Sequence, residues 1–312
     1  MATYTRRNAW NSDGNFSNPD LFWYAKAVSE MQSRPISDPT SWWFYAAIHG
    51  QFLTIKLPPQ YSYLEWQHIA YIPPAAHLNH LPAPNQVRLF WDQCQHGTWF
   101  FPPWHRGYLV ALENILREII VGQLQGPSDW ALPYWNYLKD DDGFSQAAIP
   151  PAFTAHQMPD GSKNPLFVEE RYGPDGNGNI YVQVGANPQT SANDECQWDI
   201  IYSESIHPAP TGVGNLYGYY YGGSETGFSH SNDGFGDLES NPHNFVHGMV
   251  GGRKKGNSRN GLMGVPATAA LDPIFYLHNA NIDRMWAAWN TTGNNPNPTD
   301  PNWLTGPSAN GN

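Results

Sequence analysis

The chain has 312 residues, of which 40% are hydrophobic and 14% aromatic, a composition typical of a folded protein. The net charge is −11, and no basic stripe points to nucleic acid as a partner. No apolar stretch reaches the roughly 20 residues of a membrane span, and no apolar run follows the arginines near the start. We therefore expect a cytoplasmic protein without a signal peptide that binds neither membrane nor nucleic acid.

Residues 20–32 form the first predicted helix. Their apolar side chains recur at helical spacing, and Asp20 is the expected N-cap. Prolines interrupt residues 51–90 repeatedly, so this segment is predicted to be mostly irregular. Residues 138–240 are rich in turn residues and poor in helix signals, and we expect loops with a few short strands.

Residues 40–50 form the second predicted helix. Thr40 or Ser41 is its expected cap, and Gly50 is its expected end. This assignment places His49 in the last helical turn.

Three more helices are predicted further along the chain. The first runs from about 105 to 121, the second from 242 to 251, and the third from 272 to 290. Asp272 is the expected cap of the third, with Pro273 at its first helical position. Residues 291–312 resemble a linker, of the kind that leads to a further domain.

Six histidines fall into two groups of three. The first group comprises His49, His96 and His105, and the second comprises His243, His247 and His278. Imidazole suits copper, which binds such ligands more tightly than other divalent first-row metals do. Four of the predicted helices bring these histidines together. We therefore predict a mainly α fold, a four-helix bundle that encloses a dinuclear copper site. Two such ions could share one dioxygen, which makes an oxidase the leading hypothesis.

Each histidine signal has a simpler interpretation when it is taken alone. His243 and His247 are four residues apart and share one helical face, but such a pair also occurs on polar surfaces. A lone histidine in the position of His278 is more often a core residue. The zinc-peptidase motif does not fit, because Asn244 and not glutamate follows His243.

Several segments resemble the tyrosinase/catechol oxidase (polyphenol oxidase) family of type-3 dinuclear copper proteins, which also includes haemocyanin. They are SWWFYAAIHG, HGTWFFPPWHRGYLVALE, NPHNFVHG and MGVPATAALDPIFYLHNANIDRMWAAW. The resemblance implies that residues 1–290 form the catalytic domain. It also implies that the first histidine group holds one copper and the second group the other. His68, His77 and His80 compete with His49, but they lie in the proline-broken segment.

Cys94 precedes His96 by two residues and matches the family's Cys-x-His thioether pattern. A bond from this sulfur to the His96 ring would fix a ligand that lies on a loop. Cys94 could instead be a small buried side chain, or form a disulfide with Cys196.

The resemblance also assigns roles to residues that are not ligands. Glu239 and Asn244 match the pair that holds a water able to take the proton of a phenol. Val265 matches a gate position over the site, where a small side chain leaves access open. Asp272 and Arg284 would orient ligands, or serve only as a helix cap and an ordinary ion-pair partner.

The resemblance implies an enzyme that oxidises phenols and o-diphenols to o-quinones with O2, so the expected partners are a small phenol and O2. Two alternatives remain open. One is an o-aminophenol oxidase that uses the same site, and the other is a haemocyanin-like oxygen carrier. The sequence predicts neither the natural phenol nor the oligomeric state.

Overall fold

The protein is mainly helical, as the sequence predicts, and the short strands occupy little of it. The computed structural model describes residues 3–50, 53–56, 60–63, 82–137, 145–174, 176, 235–236, 238–256, 259–292, 297, 299 and 301–306.

The first helix, α1, spans Pro19–Ser33. Its N-cap is Asn18, whose side chain accepts a hydrogen bond from the backbone N–H of Asp20. The prediction of Asp20 as the cap is therefore wrong. Pro19 takes the first helical position, where its missing N–H costs nothing, and this shifts the cap to the residue before it. The Asp20 carboxylate instead binds the Arg7 guanidinium.

The second helix, α2, spans Trp42–His49 and matches the prediction closely. Ser41 caps it, because its hydroxyl accepts a hydrogen bond from the N–H of Phe44. The helix ends at His49 and Gly50 follows in extended conformation.

The segment predicted to be irregular contains regular structure. Strands β1 (Leu53–Lys56) and β2 (Gln60–Tyr63) form an antiparallel hairpin. Helix α3 spans Pro84–Phe90 and begins with a proline, so Pro84 marks the start of a helix rather than an interruption. His68, His77 and His80 lie outside the described residues.

Helix α4 spans Phe101–Arg117 and continues into a π-helical turn, Glu118–Gln123. It begins four residues before the predicted start, because Pro102 and Pro103 lie in its first turn, where a proline is tolerated.

Helix α5 spans Phe245–Gly251, and a π-helical turn at Glu239–Asn244 precedes it. Helical structure therefore starts before the predicted residue, Pro242. Pro242 lies inside this π-helical turn. Such turns are frequent at functional sites. Gly252 ends the helix with a φ of 58°.

The carboxyl-terminal part holds three helices, α6 (Pro266–Ala269), α7 (Ile274–Thr292) and α8 (Pro301–Thr305). The predicted cap of α7 is confirmed, because the Asp272 carboxylate accepts a hydrogen bond from the N–H of Ile274. Helix α8 lies in the segment that the sequence predicts to be a linker. Its Trp303 ring stacks on Phe100 with centroids 5.8 Å apart.

Helices α1, α2, α4 and α7 pack around one large apolar core, which contains most of the buried aromatic rings. A second cluster lies between the start of α4 and the later turns of α7. It comprises Trp99, Phe100, Phe101, Leu238, Ile282, Met285, Trp286 and Trp289, with Trp303 against it. Among the described residues, the helices lack the combined length and apolar character that a membrane span requires.

Candidate metal centre

The first histidine group joins the end of α2, a loop and α4. The rings of His49, His96 and His105 form a triangle with centroid separations of 5.3, 5.7 and 5.5 Å. Their ligand atoms, together with Cys94 Sγ, lie within 4.8 Å of one another. All three side chains are buried, so the group is suited to holding one ion away from bulk water.

The second group joins the π-helical turn, α5 and α7. His243 lies 4.5 Å from His247 and 5.3 Å from His278, measured between ring centroids. The remaining pair, His247 and His278, is separated by 5.0 Å. Their ligand atoms also lie within 4.8 Å of one another.

The two groups are adjacent. The His243 ring lies 5.6 Å from His105 and 5.9 Å from His96. Two phenylalanines brace the junction: Phe101 contacts His105 and His243, at 4.4 and 4.6 Å, while Phe275 contacts His49 and His247, at 4.6 and 5.7 Å. The arrangement is that of a dinuclear site.

Hydrogen bonds at Nδ1 set the tautomers of four rings. The Nδ1 atoms of His49, His105 and His247 donate to the carbonyl oxygens of Pro266, Phe101 and Met263, at 3.0, 2.8 and 2.7 Å. His243 Nδ1 donates to Asn244 Oδ1 at 3.0 Å. With the proton on Nδ1, each Nε2 keeps its lone pair, as a metal ligand requires.

Two observations show that the donor set fits a metal ion. His243 Nε2 and His247 Nε2 lie 3.2 Å apart, and the tautomers leave no proton between them. Both ring nitrogens of His278 are fully buried, and neither makes a well-formed hydrogen bond to the described part of the chain. Buried polar atoms are rarely left unsatisfied, and a cation among these nitrogens would satisfy them.

Burial keeps four of the histidines neutral. Desolvation lowers the pKa of His105 to about 3 and that of His247 to about 4. Burial also lowers the pKa of His243 and His278 well below its usual value, and the neighbouring histidines add to the effect. Neutral imidazole is the form that binds metals, so the site is prepared for an ion at neutral pH.

Cys94 is a free, buried thiol in the first group. Its Sγ lies 3.6 Å from His96 Nε2 and 3.4 Å from His105 Nε2. Burial raises the pKa of this thiol well above its usual value. Cys196, its alternative partner, lies outside the described residues.

Glu239 is buried beneath the first group. Both of its carboxylate oxygens accept a hydrogen bond from the Gly97 N–H, at 2.9 and 3.0 Å, next to His96. Burial raises the pKa of Glu239 well above its usual value.

A cavity of about 210 Å³ opens over the histidines. Asn244 lines it together with Gly248, Met263, Gly264 and Pro266. Val265 is half-buried and is not among the lining residues, but its neighbours in the sequence, Gly264 and Pro266, both line the cavity.

Asp272 and Arg284 are the last two residues to which the sequence assigns a role. Asp272 forms a buried ion pair with Arg171, whose Nη2 lies 2.6 Å from Asp272 Oδ1. Arg284 donates to Asn281 and Asn136. Sequence reasoning did not identify the bracing ring of Phe275 or the carbonyl acceptors of Met263 and Pro266. Carbonyls occur at every residue, so no sequence signal could have identified those acceptors.

The helical bundle and its paired histidine groups define a protein with a dinuclear metal centre. A family model described as the common central domain of tyrosinase matches residues 39–292. The chain belongs to the tyrosinase family, whose members bind a dinuclear copper centre.

The chain is similar in sequence and structure to known tyrosinases and polyphenol oxidases. The tyrosinase HcTyr1 of Hahella sp. (strain CCB-MM4) is 38% identical over 96% of this chain and 56% of its own length. A chloroplastic polyphenol oxidase of Vitis vinifera is 34% identical over 67% of this chain and 32% of its own. The crystal structure of Grenache (Vitis vinifera) polyphenol oxidase superposes with a TM-score of 0.61 and 26% identity, covering 96% of this chain and 75% of that one. The chain thus spans about half or less of the length of these two curated relatives.

Proposed function

We propose that this protein oxidises phenols and o-diphenols to o-quinones with O2, as a tyrosinase or catechol oxidase. The observation that carries the proposal is the contact between two groups of three histidines, five of which are buried and one half-buried. Family membership supports copper-dependent phenol oxidation in general, and the pairing of the groups supports a two-metal reaction.

In this proposal, His49, His96 and His105 hold one copper, and His243, His247 and His278 hold the other. The bound coppers would supply O2 binding and electron transfer from the phenol. The protein itself fixes the ligand geometry. The carbonyls that accept from Nδ1 hold the rings in place, and Phe101 and Phe275 prevent them from rotating.

The substrate phenol would enter the cavity beside His247, with Val265 as the gate. Gly248 and Gly264 line the cavity on this side and have no side chains to obstruct a ring. Val265 is small, and a larger side chain here would narrow the entrance. This arrangement supports an enzyme over an oxygen carrier, because a carrier needs a shielded site.

Glu239 and Asn244 would assist removal of the phenol proton. A phenol has a pKa near 10, so a nearby acceptor is needed at neutral pH. Asn244 lines the cavity, and its Oδ1 accepts from His243, so its amide N–H groups would be the ones to orient a water. Glu239 holds the Gly97 N–H, and would act through that water.

The test is turnover of tyrosine, catechol and o-aminophenol by the copper-loaded protein. We expect oxidation of catechol and hydroxylation of tyrosine. Preference for the o-aminophenol over both would favour the alternative activity. Reversible O2 binding with no turnover of any of the three would overturn the enzyme proposal.

Glu239→Gln tests the role of the carboxylate, with the exposed Glu169→Gln as its matched control. We expect Glu239→Gln to slow tyrosine hydroxylation at least tenfold while copper content stays the same. Tyrosine hydroxylation at the parental rate in Glu239→Gln would remove Glu239 from the mechanism.

A further inference from the structure

A second, larger cavity of about 600 Å³ lies between the amino-terminal arm, α4 and α7. We call it the arginine groove, because Arg6, Arg117 and Arg284 line it together with Tyr4, Tyr134 and Val110. It shares no lining residue with the cavity over the histidines. Its volume lies within the range of small-molecule sites, roughly 300–1,000 Å³.

The two carboxylates of the arginine groove are already neutralised. Glu113 accepts from Arg6 Nη2 at 2.8 Å and from the N–H of Leu132 at 2.8 Å. Asp283 binds Arg6 at 2.9 Å and Arg106 at 2.6 Å. Both carboxylates are therefore already paired, and neither balances the charge of Arg117 or Arg284.

Arg117 and Arg284 have no carboxylate partner in the described part of the chain. Arg117 donates from its two terminal nitrogens to the carbonyls of Trp130 and Ser128. Arg284 donates from Nε and Nη2 to the amide oxygens of Asn281 and Asn136. These acceptors are neutral, so two guanidinium charges in the arginine groove have no counter-ion among the described residues. The net charge of the whole chain is −11.

Each of these guanidinium groups lies against a tyrosine ring. The Arg117 guanidinium carbon is 3.5 Å from the Tyr4 centroid, and that of Arg284 is 5.0 Å from the Tyr134 centroid. The arginine groove therefore offers planar, partly apolar walls beside planar cations. A flat ring that carries a carboxylate matches both features, because guanidinium pairs with carboxylate in plane and stacks on aromatic faces.

We propose that the arginine groove is a binding site for an aromatic carboxylate, separate from the copper pocket. Its carboxylate contacts Arg117 and Arg284, and its ring lies between Tyr4 and Tyr134. Arg284 lies six residues beyond His278 on α7, which is about 9 Å along the helix axis.

Calorimetric titration of metal-free protein with 2-naphthoate tests the proposal, with 2-naphthamide as the neutral probe. We expect saturable binding of the carboxylate and at least tenfold weaker binding of the amide. Metal-free protein makes the assay independent of turnover, so failure of the proposed oxidase activity would not affect it.

The decisive variants are Val110→Glu and Val110→Gln, because Val110 lines the arginine groove and is 47% exposed. The two substituents match in size, and neither removes a native hydrogen bond. We expect Val110→Glu to bind 2-naphthoate about tenfold more weakly than Val110→Gln, because the new carboxylate would pair with the guanidinium groups in place of the ligand. Arg284→Gln should weaken binding similarly, with the exposed Arg88→Gln unchanged.

Equal affinity in the two Val110 variants would overturn the proposal. So would equal binding of the neutral amide, or of acetate in place of the aromatic acid. Loss of binding in Gly248→Phe, with Val110→Glu unaffected, would place the ligand in the copper pocket and would also overturn it.

Discussion

His243 and His247 turn their Nε2 atoms toward each other at a separation of 3.2 Å, and neither atom carries a hydrogen to donate. Two lone pairs at this distance repel unless a cation lies between or beside them. Lone-pair repulsion within the protein therefore favours metal binding, in addition to the intrinsic affinity of imidazole.

The first prediction concerns copper content. His278→Ala removes the one ligand whose ring nitrogens both lack a well-formed hydrogen bond among the described residues. We expect copper per chain to fall from about two to about one, because the second group keeps only two histidines. Metal analysis of dialysed protein measures this. His156→Ala, outside both groups, is the control, and equal copper contents in the two variants would contradict the assignment.

The second prediction concerns the pH dependence of the metal-free protein. The pKa values of His105, His243, His247 and His278 are lowered in the folded state, so below pH about 6.5 the unfolded chain binds more protons. The free energy of unfolding is therefore highest above that pH, and it falls as the pH drops toward about 4. For each extra proton that the unfolded chain binds, the free energy of unfolding falls by at most about 1.4 kcal/mol per pH unit.

Glu239 opposes this trend, because its raised pKa lets the folded state hold the extra proton. The stability that Glu239 contributes is lost as the pH rises. This single carboxylate is outweighed by the four histidines, whose effect has the opposite sign. Urea unfolding of chelator-treated protein at about pH 7 and pH 5 measures the balance. Unfolding free energies that are equal, or larger at the lower pH, would refute the prediction.

The third prediction concerns the buried ion pair. Asp272→Asn leaves the Arg171 charge uncompensated at a site where the two side chains are 0% and 2% exposed. We expect a loss of about 3–5 kcal/mol in the free energy of unfolding. The exposed pair Lys26–Asp160 is the control, and Asp160→Asn should leave stability unchanged within error. A comparable loss in both variants would argue against burial as the cause.

The fourth prediction concerns helix α8. Trp303→Ala removes the ring that stacks on Phe100 and packs on the second apolar cluster. We expect the unfolding free energy to fall by about 1–3 kcal/mol. Leu304 is adjacent and 70% exposed, so Leu304→Ala should have no measurable effect. If Trp303→Ala were equally silent, α8 would be a detached linker, as the sequence alone predicts.

The fifth prediction concerns Cys94. We propose that its sulfur bonds to a carbon of the His96 ring during copper loading with O2. The thiol hydrogen and one ring hydrogen are lost, and the two electrons and two protons reduce O2 to hydrogen peroxide. The intact mass should fall by the mass of two hydrogens after loading. A thiol reagent should no longer label Cys94 in the denatured protein, and any label that remains should lie on the other cysteine, Cys196. Cys94→Ser should show no mass change. Full labelling of Cys94 after loading would contradict the thioether.

Much of this architecture follows from local signals in the sequence. Ser41 and Asp272 cap α2 and α7 as expected, because capping depends on a few neighbouring residues. The start that the sequence predicts for α5, Pro242, lies inside a π-helical turn over Glu239–Asn244. Such a turn has no distinct sequence pattern, so the sequence does not predict it. The bracing contact of Phe275 with His49 depends on how α7 meets α2, which no single segment specifies.

The bond from the Gly97 N–H to Glu239 joins residues 142 positions apart in the chain. Through it, the turn that carries His243 also fixes the loop that carries His96. The ligands of the first ion all lie within residues 49–105, but the loop that carries His96 gains this hydrogen bond only after the distant half of the polypeptide has been synthesised and has docked. A nascent chain would capture neither copper early, and the two ions should load cooperatively, each organising the ligands of the other.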